Sequence, residues 1–421
     1  MDRKIRFGVF GCTRGQSHMK NGILAGGELV AICDKQEKIL KSAQSKDFFP
    51  KDAAIYTDFD KFIEHDMDCV VLCNYFHEHA EYAITAMRKG KHVLSETTAG
   101  SSFYYCTELC QAVEETGMKY MLGENYPYTR PNMEIKRVYD SGTLGRVLYG
   151  EGEYVHPSPG KPGPLMPELN HWRRWLPRTY YATHALGPLL YMTGLHPKEV
   201  TGFVIPAPDF RQAKYTTDIA GIIITKTETG AIFRTTGCAG FAPHGSWYRL
   251  GCMNGGIERV RGEANTVRLA YNEWQRPEGM EENEKIYQPE WISNAELAEK
   301  AGHGGGDFWN MYDFFEYISG GAEPHFTIYN AVDMSLVEIC AWRSVLRGNV
   351  PIEIPDFRDE AVRRRYEHDK LTPFWHDDKE PTLPCCSDPT ARPLPEYDVP
   401  WVDPSEAEEK KAEKEVMDFK M

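Results

Sequence analysis

The first 125 residues alternate short apolar runs with helix-like stretches, and that alternation leaves few folds open. Residues 4–10 (Lys-Ile-Arg-Phe-Gly-Val-Phe) read as a buried strand, Glu28 to Cys33 as a second and Cys69 to Cys73 as a third. Each is nearly continuously apolar, as strands of a parallel sheet covered on both faces must be. Helices are expected from about Ser17, over Lys35 to Gln44, Glu78 to Lys89 and Ser101 to Thr116, with strands His92 to Leu94 and Tyr120 to Leu122 between the later ones. Repetition of strand and helix in this order specifies an α/β fold with a doubly wound parallel sheet.

Beyond residue 125 the period changes. After a helix over Pro131 to Ser141 come longer alternating strands: Val147 to Tyr154, Glu199 to Pro206, Asp218 to Thr225, Ala231 to Gly237 and Tyr248 to Met253. Helices are expected near 178–193, 307–319 and 329–347. The pattern implies a second α/β domain with a large, mostly antiparallel open sheet. We therefore expect a dinucleotide-binding domain over 1–125, a substrate domain over 126–355, and a Pro-rich, charged arm over 356–421. The Pro- and Gly-rich stretch Pro157 to Pro167 reads as a surface loop over the domain junction, placed to gate substrate.

At 421 residues, two domains are the default. A formal charge of −14 argues against nonspecific binding to nucleic acid or anionic membrane, and the apolar runs are too short to span a bilayer. Strand-like sequence begins at Lys4, which leaves no room for a signal peptide. The 11 cysteines are scattered, odd in number and without paired CxxC spacing, so reduced thiols in a cytoplasmic protein are expected, with no metal site.

The turn after strand one is Gly8-x-x-Gly11-x-x-x-Gly15, with Cys12, Thr13 and Arg14 between its later glycines. Such a turn offers main-chain N–H groups and a positive helix terminus to a pyrophosphate. Asp34, 23 residues after Gly11 at the end of strand two, adds the carboxylate that accepts adenosine-ribose hydroxyls. It favours NAD over NADP, although Lys35 beside it keeps NADP open.

Two stretches, Val70-Val-Leu-Cys-Asn-Tyr-Phe-His-Glu-His-Ala-Glu-Tyr-Ala and Ala86-Met-Arg-Lys-Gly-Lys-His-Val-Leu-Ser-Glu96, resemble the Gfo/Idh/MocA oxidoreductases, which join a Rossmann domain to an open-sheet domain that often dimerises. The family's Glu-Lys-Pro signature stands here as Glu96-Thr97-Thr98, and its Asp-x-x-x-His pair as Tyr180-x-x-x-His184. Two proton-handling groups of an alcohol dehydrogenase are thus missing. Glu124-Asn125-x-x-Tyr128-x-Arg130, Glu151-Gly-Glu-Tyr154-Val-His156, His171-Trp172-Arg173, Tyr181-x-Thr183-His184-x-Leu-Gly187-Pro188 and His303-Gly-Gly-Gly-Asp-Phe are similar to the NAD-dependent glycosidases of glycoside hydrolase family 109. That branch, known for α-N-acetylgalactosaminidase activity, likewise lacks the lysine.

The resemblance implies that Glu124, Tyr154, Tyr181 and His184 line a sugar site and carry the catalysis. A redox glycosidase needs a flat nicotinamide beside the sugar and several proton carriers tuned toward neutrality. His184 is the candidate base or hydrogen-bond partner at the C3 hydroxyl, and Tyr181 and Tyr154 are candidates for C2 deprotonation and the leaving group. Tyr128, His156 and Tyr180 are candidate substrate contacts. Asn74, His79, Glu96, Asn125, Trp172 and Arg173 join the glycine turn and Asp34 as candidate cofactor contacts. The expected function is NAD-dependent glycoside cleavage by C3 oxidation, C1–C2 elimination, water addition and re-reduction, by a homo-oligomer acting on a small glycoside. Two alternatives stand beside it: a conventional dehydrogenase that releases a 3-keto sugar, and an NAD-binding protein with degenerate catalysis.

Overall fold

The computed structural model describes residues 4–157, 172–174, 176–206, 217–374 and 381–388. The expected gating loop from residue 158 onward, His171 and the charged run after Ser405 lie outside them.

Strands β1 (Arg6–Phe10), β2 (Glu28–Cys33), β3 (Ala54–Tyr56), β4 (Cys69–Leu72), β5 (His92–Ser95) and β6 (Tyr120–Leu122) form one six-stranded sheet in the order β3-β2-β1-β4-β5-β6. Every pairing in it is parallel. Crossovers run through α1 (Gly15–Leu24), α2 (Glu37–Gln44), α3 (Phe59–Ile63), α4 (His79–Arg88) and α5 (Phe103–Thr116). The strand order reverses between β1 and β4, and a ligand crevice opens there at the carboxyl ends of the strands. The short β3 and α3 escaped the sequence reading because a three-residue strand carries too little periodicity to register.

After α6 (Arg130–Asp140), a nine-stranded sheet is built from β7 (Val147–Val155), β8 (Pro197–Ile205), β9 (Ala220–Thr227), β10 (Ile232–Cys238), β11 (Gly245–Cys252), β12 (Gly255–Arg259), β13 (Val267–Tyr271), β14 (Glu284–Tyr287) and β15 (Ile352–Glu353). It is mixed and mostly antiparallel; among its pairings only β7 with β10 is parallel. The single helix expected near 178–193 divides into a 3-10 turn, Arg178–Tyr181, and α7 (Thr183–Thr193). Two small helices, α8 (Ala295–Ala298) and α11 (Glu360–Arg363), flank the longer α9 (Gly306–Ile318) and α10 (Ile328–Leu346).

Helices α7 and α10 cover one face of the large sheet. Its glycines mark the closest approaches: a Cβ on Gly152 of β7 would overlap the Ala185 carbonyl of α7, and one on Gly202 of β8 would overlap Ala341 of α10. Among the described residues nothing covers the other face, where Phe203 and Ile205 are exposed on β8. Helix α9, although late in the chain, packs on the first sheet, its Phe308, Met311, Phe314 and Phe315 buried with Phe7, Val9 and Ile32. The described part of the C-terminal arm is also integral. Phe374 is buried against Phe76, His77 and Tyr180, and Ser387 donates its hydroxyl to Asp218 at 2.5 Å. All 11 cysteines are free thiols, and no described helix is long and apolar enough to cross a membrane.

Candidate active site

The glycine turn joins β1 to α1. Gly11 has φ +88°, and a Cβ there would overlap the Cys73 main chain, so only glycine lets the turn lie against the end of β4. The turn is pinned from below: the Cys12 N–H donates to Asp34 at 2.8 Å, and the same carboxylate accepts the Gln36 N–H at 2.9 Å. Burial raises the Asp34 pKa against these two donors and Lys35. Thr13 is exposed at the turn, and Gly15 lets α1 start close to Val9.

Arg14 and Glu96, both expected to touch the cofactor, spend their side chains on each other. Arg14 Nε donates to Glu96 at 2.7 Å, and its two terminal nitrogens grip Asp307 at 2.7 and 2.9 Å. His18 Nε2 lies 2.7 Å from the same Glu96 oxygen. Burial works against the Glu96 anion, but Arg14 and His18 hold its carboxyl well below the usual range. Asp307 also accepts from Ser17, Asn125 and His303, again with burial outweighed by Arg14. The network fastens the start of α9 to the glycine turn. Asp307 and His18 were missed as individual residues, although Asp307 closes the His303-Gly-Gly-Gly-Asp segment.

His79 is buried, with Nδ1 3.4 Å from the Thr98 carbonyl and Nε2 3.3 Å from that of Asn74. Desolvation lowers its pKa to about 4, so the ring is neutral between the loops after β4 and β5 and its single N–H can donate to only one of the two carbonyls. The buried Oδ1 atoms of Asn74 and Asn125 have no partner among the described residues. They are acceptors left for the hydroxyl or amide donors of a dinucleotide. With the Gly11 turn and Asp34, the residues present fit NAD. Thr98, in the lost signature, bonds Ser335 and Glu338 on α10, and Thr97 is buried beside it.

The second half of the site gathers where β6, β7 and α7 meet. Glu124 follows β6 and is fully buried; its carboxylate lies 2.9 and 3.0 Å from His184 Nδ1, in the first turn of α7. Gly187 makes this possible, since a Cβ there would stand 2.7 Å from Glu124 Cγ. Burial pushes the His184 imidazole down, but Glu124 and then Tyr181 outweigh it and hold the pKa up at about 9. The ring is therefore cationic at neutral pH.

Around it stand Tyr126, Tyr154 and Tyr181, their ring centroids 4.7, 4.7 and 5.3 Å from the imidazole. Arg173 donates to the Tyr181 hydroxyl at 3.0 Å and stacks over Trp172, which in turn stacks on Phe76. Burial opposes ionisation of Tyr181, yet Arg173 and His184 lower its pKa from 10. Tyr154 moves the other way, raised by burial and by the neighbouring Tyr181 and Tyr126. Burial likewise raises Tyr126 to about 12. His156 sits at the rim, 5.9 Å from Tyr154 between ring centroids.

Two expected substrate contacts are elsewhere. Tyr180 is fully buried, its hydroxyl donating to the Ser101 carbonyl at 3.3 Å and its ring edge-on to Phe374, because the 3-10 turn rotates it away from Tyr181. Tyr128 is buried under the first sheet against Tyr191. Tyr126, between Glu124 and Tyr128 in the chain and not among the expected site residues, joins the cluster around His184 and Tyr154.

Comparison with known proteins assigns the two halves separately. Residues 5–124 match the oxidoreductase family described as an NAD-binding Rossmann fold. Residues 209–363 match the C-terminal domain of glycosyl hydrolase 109. The chain is thus similar to a Gfo/Idh/MocA Rossmann domain in its first part and to a family 109 C-terminal domain in its second. A glycosyl hydrolase family 109 protein of Shewanella sp. (strain W3-18-1) is 26% identical, the match covering 87% of both chains. An alpha-N-acetylgalactosaminidase of Tannerella forsythia is 27% identical, over 86% of this chain and 88% of its own. Among solved structures, an oxidoreductase domain protein from Kribbella flavida superposes with a TM-score of 0.71 at 17% identity, over 84% of this chain and 100% of that one. A levoglucosan dehydrogenase in complex with NADH and L-sorbose gives 0.70 at 16%, over 85% and 100%. These likenesses at low identity speak for the fold.

Proposed function

We propose that this chain is an NAD-dependent glycosidase that cleaves its substrate by oxidation at C3, elimination across C1–C2, addition of water and re-reduction. One observation carries the reading: a phenol lowered by Arg173 stands beside a cationic His184 and a phenol raised by burial, so acid and base are separated within one cluster. Bound NAD supplies a recyclable hydride acceptor. As C3 is oxidised, its hydroxyl proton would pass to the acidified Tyr181 phenol in its ionised form, which relays it to solvent, while His184, kept charged by Glu124, donates a hydrogen bond to the oxygen as it becomes the ketone and, after loss of the C2 proton, the enolate. Of the two roles open to His184, this proposal uses the hydrogen-bond donor. Tyr181, the acidified phenol, is the base at C2, and Tyr154, which keeps its proton, delivers it to the departing oxygen at C1. Trp172 and Arg173 wall the cluster.

The Tannerella relative makes an N-acetylgalactosaminide the first substrate to try. NAD is proposed over NADP because Asp34 directly follows β2 with its carboxylate pinned under the turn. Eleven free thiols suit a reducing cytoplasm. A homo-oligomer is part of the same proposal, closing over the open sheet face at Phe203 and Ile205. The function is tested on a panel of nitrophenyl glycosides with and without NAD. Cleavage that needs NAD in catalytic amount supports it. Steady accumulation of NADH with a free sugar would instead identify a dehydrogenase, and tight NAD binding without any turnover a degenerate enzyme.

A further inference from the structure

Helix α7 carries a proline at its sixth position, Pro188. In a regular helix the N–H of that residue would bond the carbonyl four residues back, which here is the carbonyl of His184. Proline has no N–H, and its ring crowds that carbonyl and tilts it outward. The donor comes from another element: the Tyr248 hydroxyl lies 2.5 Å from the His184 carbonyl.

Tyr248 is fully buried in the middle of β11, opposite Gly152 of β7. Gly152 is the residue whose missing side chain admits the Ala185 carbonyl to the sheet, and Tyr154 is two positions further along the same face. The first turn of α7 therefore rests on a seat with three parts. Gly152 gives it room, Gly187 lets it reach Glu124, and Tyr248 replaces the hydrogen bond that Pro188 removes. Burial raises the Tyr248 pKa far above the usual phenol range, so the hydroxyl stays a donor. An orphaned carbonyl at this depth would be costly, and the turn bearing it would shift to reach another partner.

We infer that Tyr248 is a positioning residue of the active site, whose hydroxyl fixes the main chain of His184 so that the imidazole meets Glu124 on one side and the tyrosine cluster on the other. The inference rests on the proposed role of His184, and it assigns the sheet a part in catalysis that no residue of the cluster reveals. It also accounts for the Gly187-Pro188 pair as a unit: the glycine brings the helix in and the proline frees the carbonyl that anchors it.

The test is a cycle of Tyr248→Phe, Pro188→Ala and the double variant in the full chain with NAD bound. Two readouts are taken: the titration of His184 by NMR of ring-labelled histidine, and glycoside turnover. Facing the imidazole are Glu124 after β6, Tyr126 in the next turn, Tyr154 on β7 with His156 just after that strand, Tyr181 in the 3-10 turn and, beyond it, Glu96. Displacing the ring from Glu124 should lower its pKa. We expect Y248F to move it from about 9 toward the ordinary value and to cut turnover roughly ten- to hundredfold. P188A returns an N–H to the His184 carbonyl, so the double variant should recover most of both losses. A Y248F protein that fails to fold leaves the double variant as the decisive one: a folded double variant titrating near 9 supports the inference.

Titration and turnover unchanged in Y248F would overturn it. So would a double variant as impaired as Y248F, which would mean that the ring's bulk matters and not its hydroxyl. Because the titration needs no substrate, a wild-type protein that cleaves no glycoside would refute the proposed function while leaving this test intact.

Discussion

Replacing Glu124 by Gln should uncouple His184 from its charge. In the native protein the imidazole rises from 6.5 to about 9. That difference corresponds to about 3 kcal/mol in favour of the charged ring. The side chain is 12% exposed, so solvent screening removes little of it. Because the folded pKa is raised, this stabilisation is fully present below about 6.5 and is lost as pH climbs through about 9. Glutamine keeps an acceptor for the ring N–H and for the Tyr126 N–H, which Glu124 binds at 3.1 Å, but it removes the charge. Desolvation then wins, and the ring should titrate below its ordinary value. Thermal midpoints of both proteins at pH 6, 7.5 and 9.5 should therefore differ most at pH 6 and converge by pH 9.5. Turnover of the variant at pH 7.5 should fall at least tenfold, since a neutral ring is a weaker donor to an oxyanion. A stability gap independent of pH, or a His184 that still titrates near 9, would refute the reasoning.

Arg173→Ala should raise the Tyr181 pKa and move the rising limb of the pH–kcat/KM profile to higher pH, with Arg173→Lys moving it less; an unmoved limb removes Tyr181 as the base. Asp34→Ala should weaken NAD binding by roughly tenfold or more and narrow the preference over NADP, measured by calorimetry. Gly187→Ala should lower both the thermal midpoint and turnover while NAD affinity holds, because the added Cβ presses on Glu124 and not on the glycine turn.

The first sheet was legible because its central strands are buried on both faces and keep their apolar runs. The cofactor turn was legible because Gly11 must adopt a conformation that other residues avoid. The second sheet was read only in its core. Strands β12, β13 and β14 lie toward one edge and mix polar with apolar residues, Arg268 pairing Glu258 and Glu284 across them, which blurs the two-residue period. At the site, the spacing of Tyr180, Tyr181 and His184 gave no sign that a 3-10 turn would bury the first phenol. Nor could sequence show that Arg14 and Asp307, 293 residues apart, would neutralise each other, or that Tyr248 would answer Pro188. Ionisation was the least legible of all, since the cation at His184 comes from a carboxylate 60 positions earlier. At the altered signature, Thr98 is held by Ser335 and Glu338 of α10, a partnership no local spacing could show.

The most direct test of the redox route is isotopic. Cleavage of a glycoside in deuterium oxide, followed by NMR of the released sugar, should show deuterium at C2, with no net NADH formed. A released sugar carrying only protium at C2 would contradict elimination, and with it the assignment of Tyr181 and His184 to this chemistry.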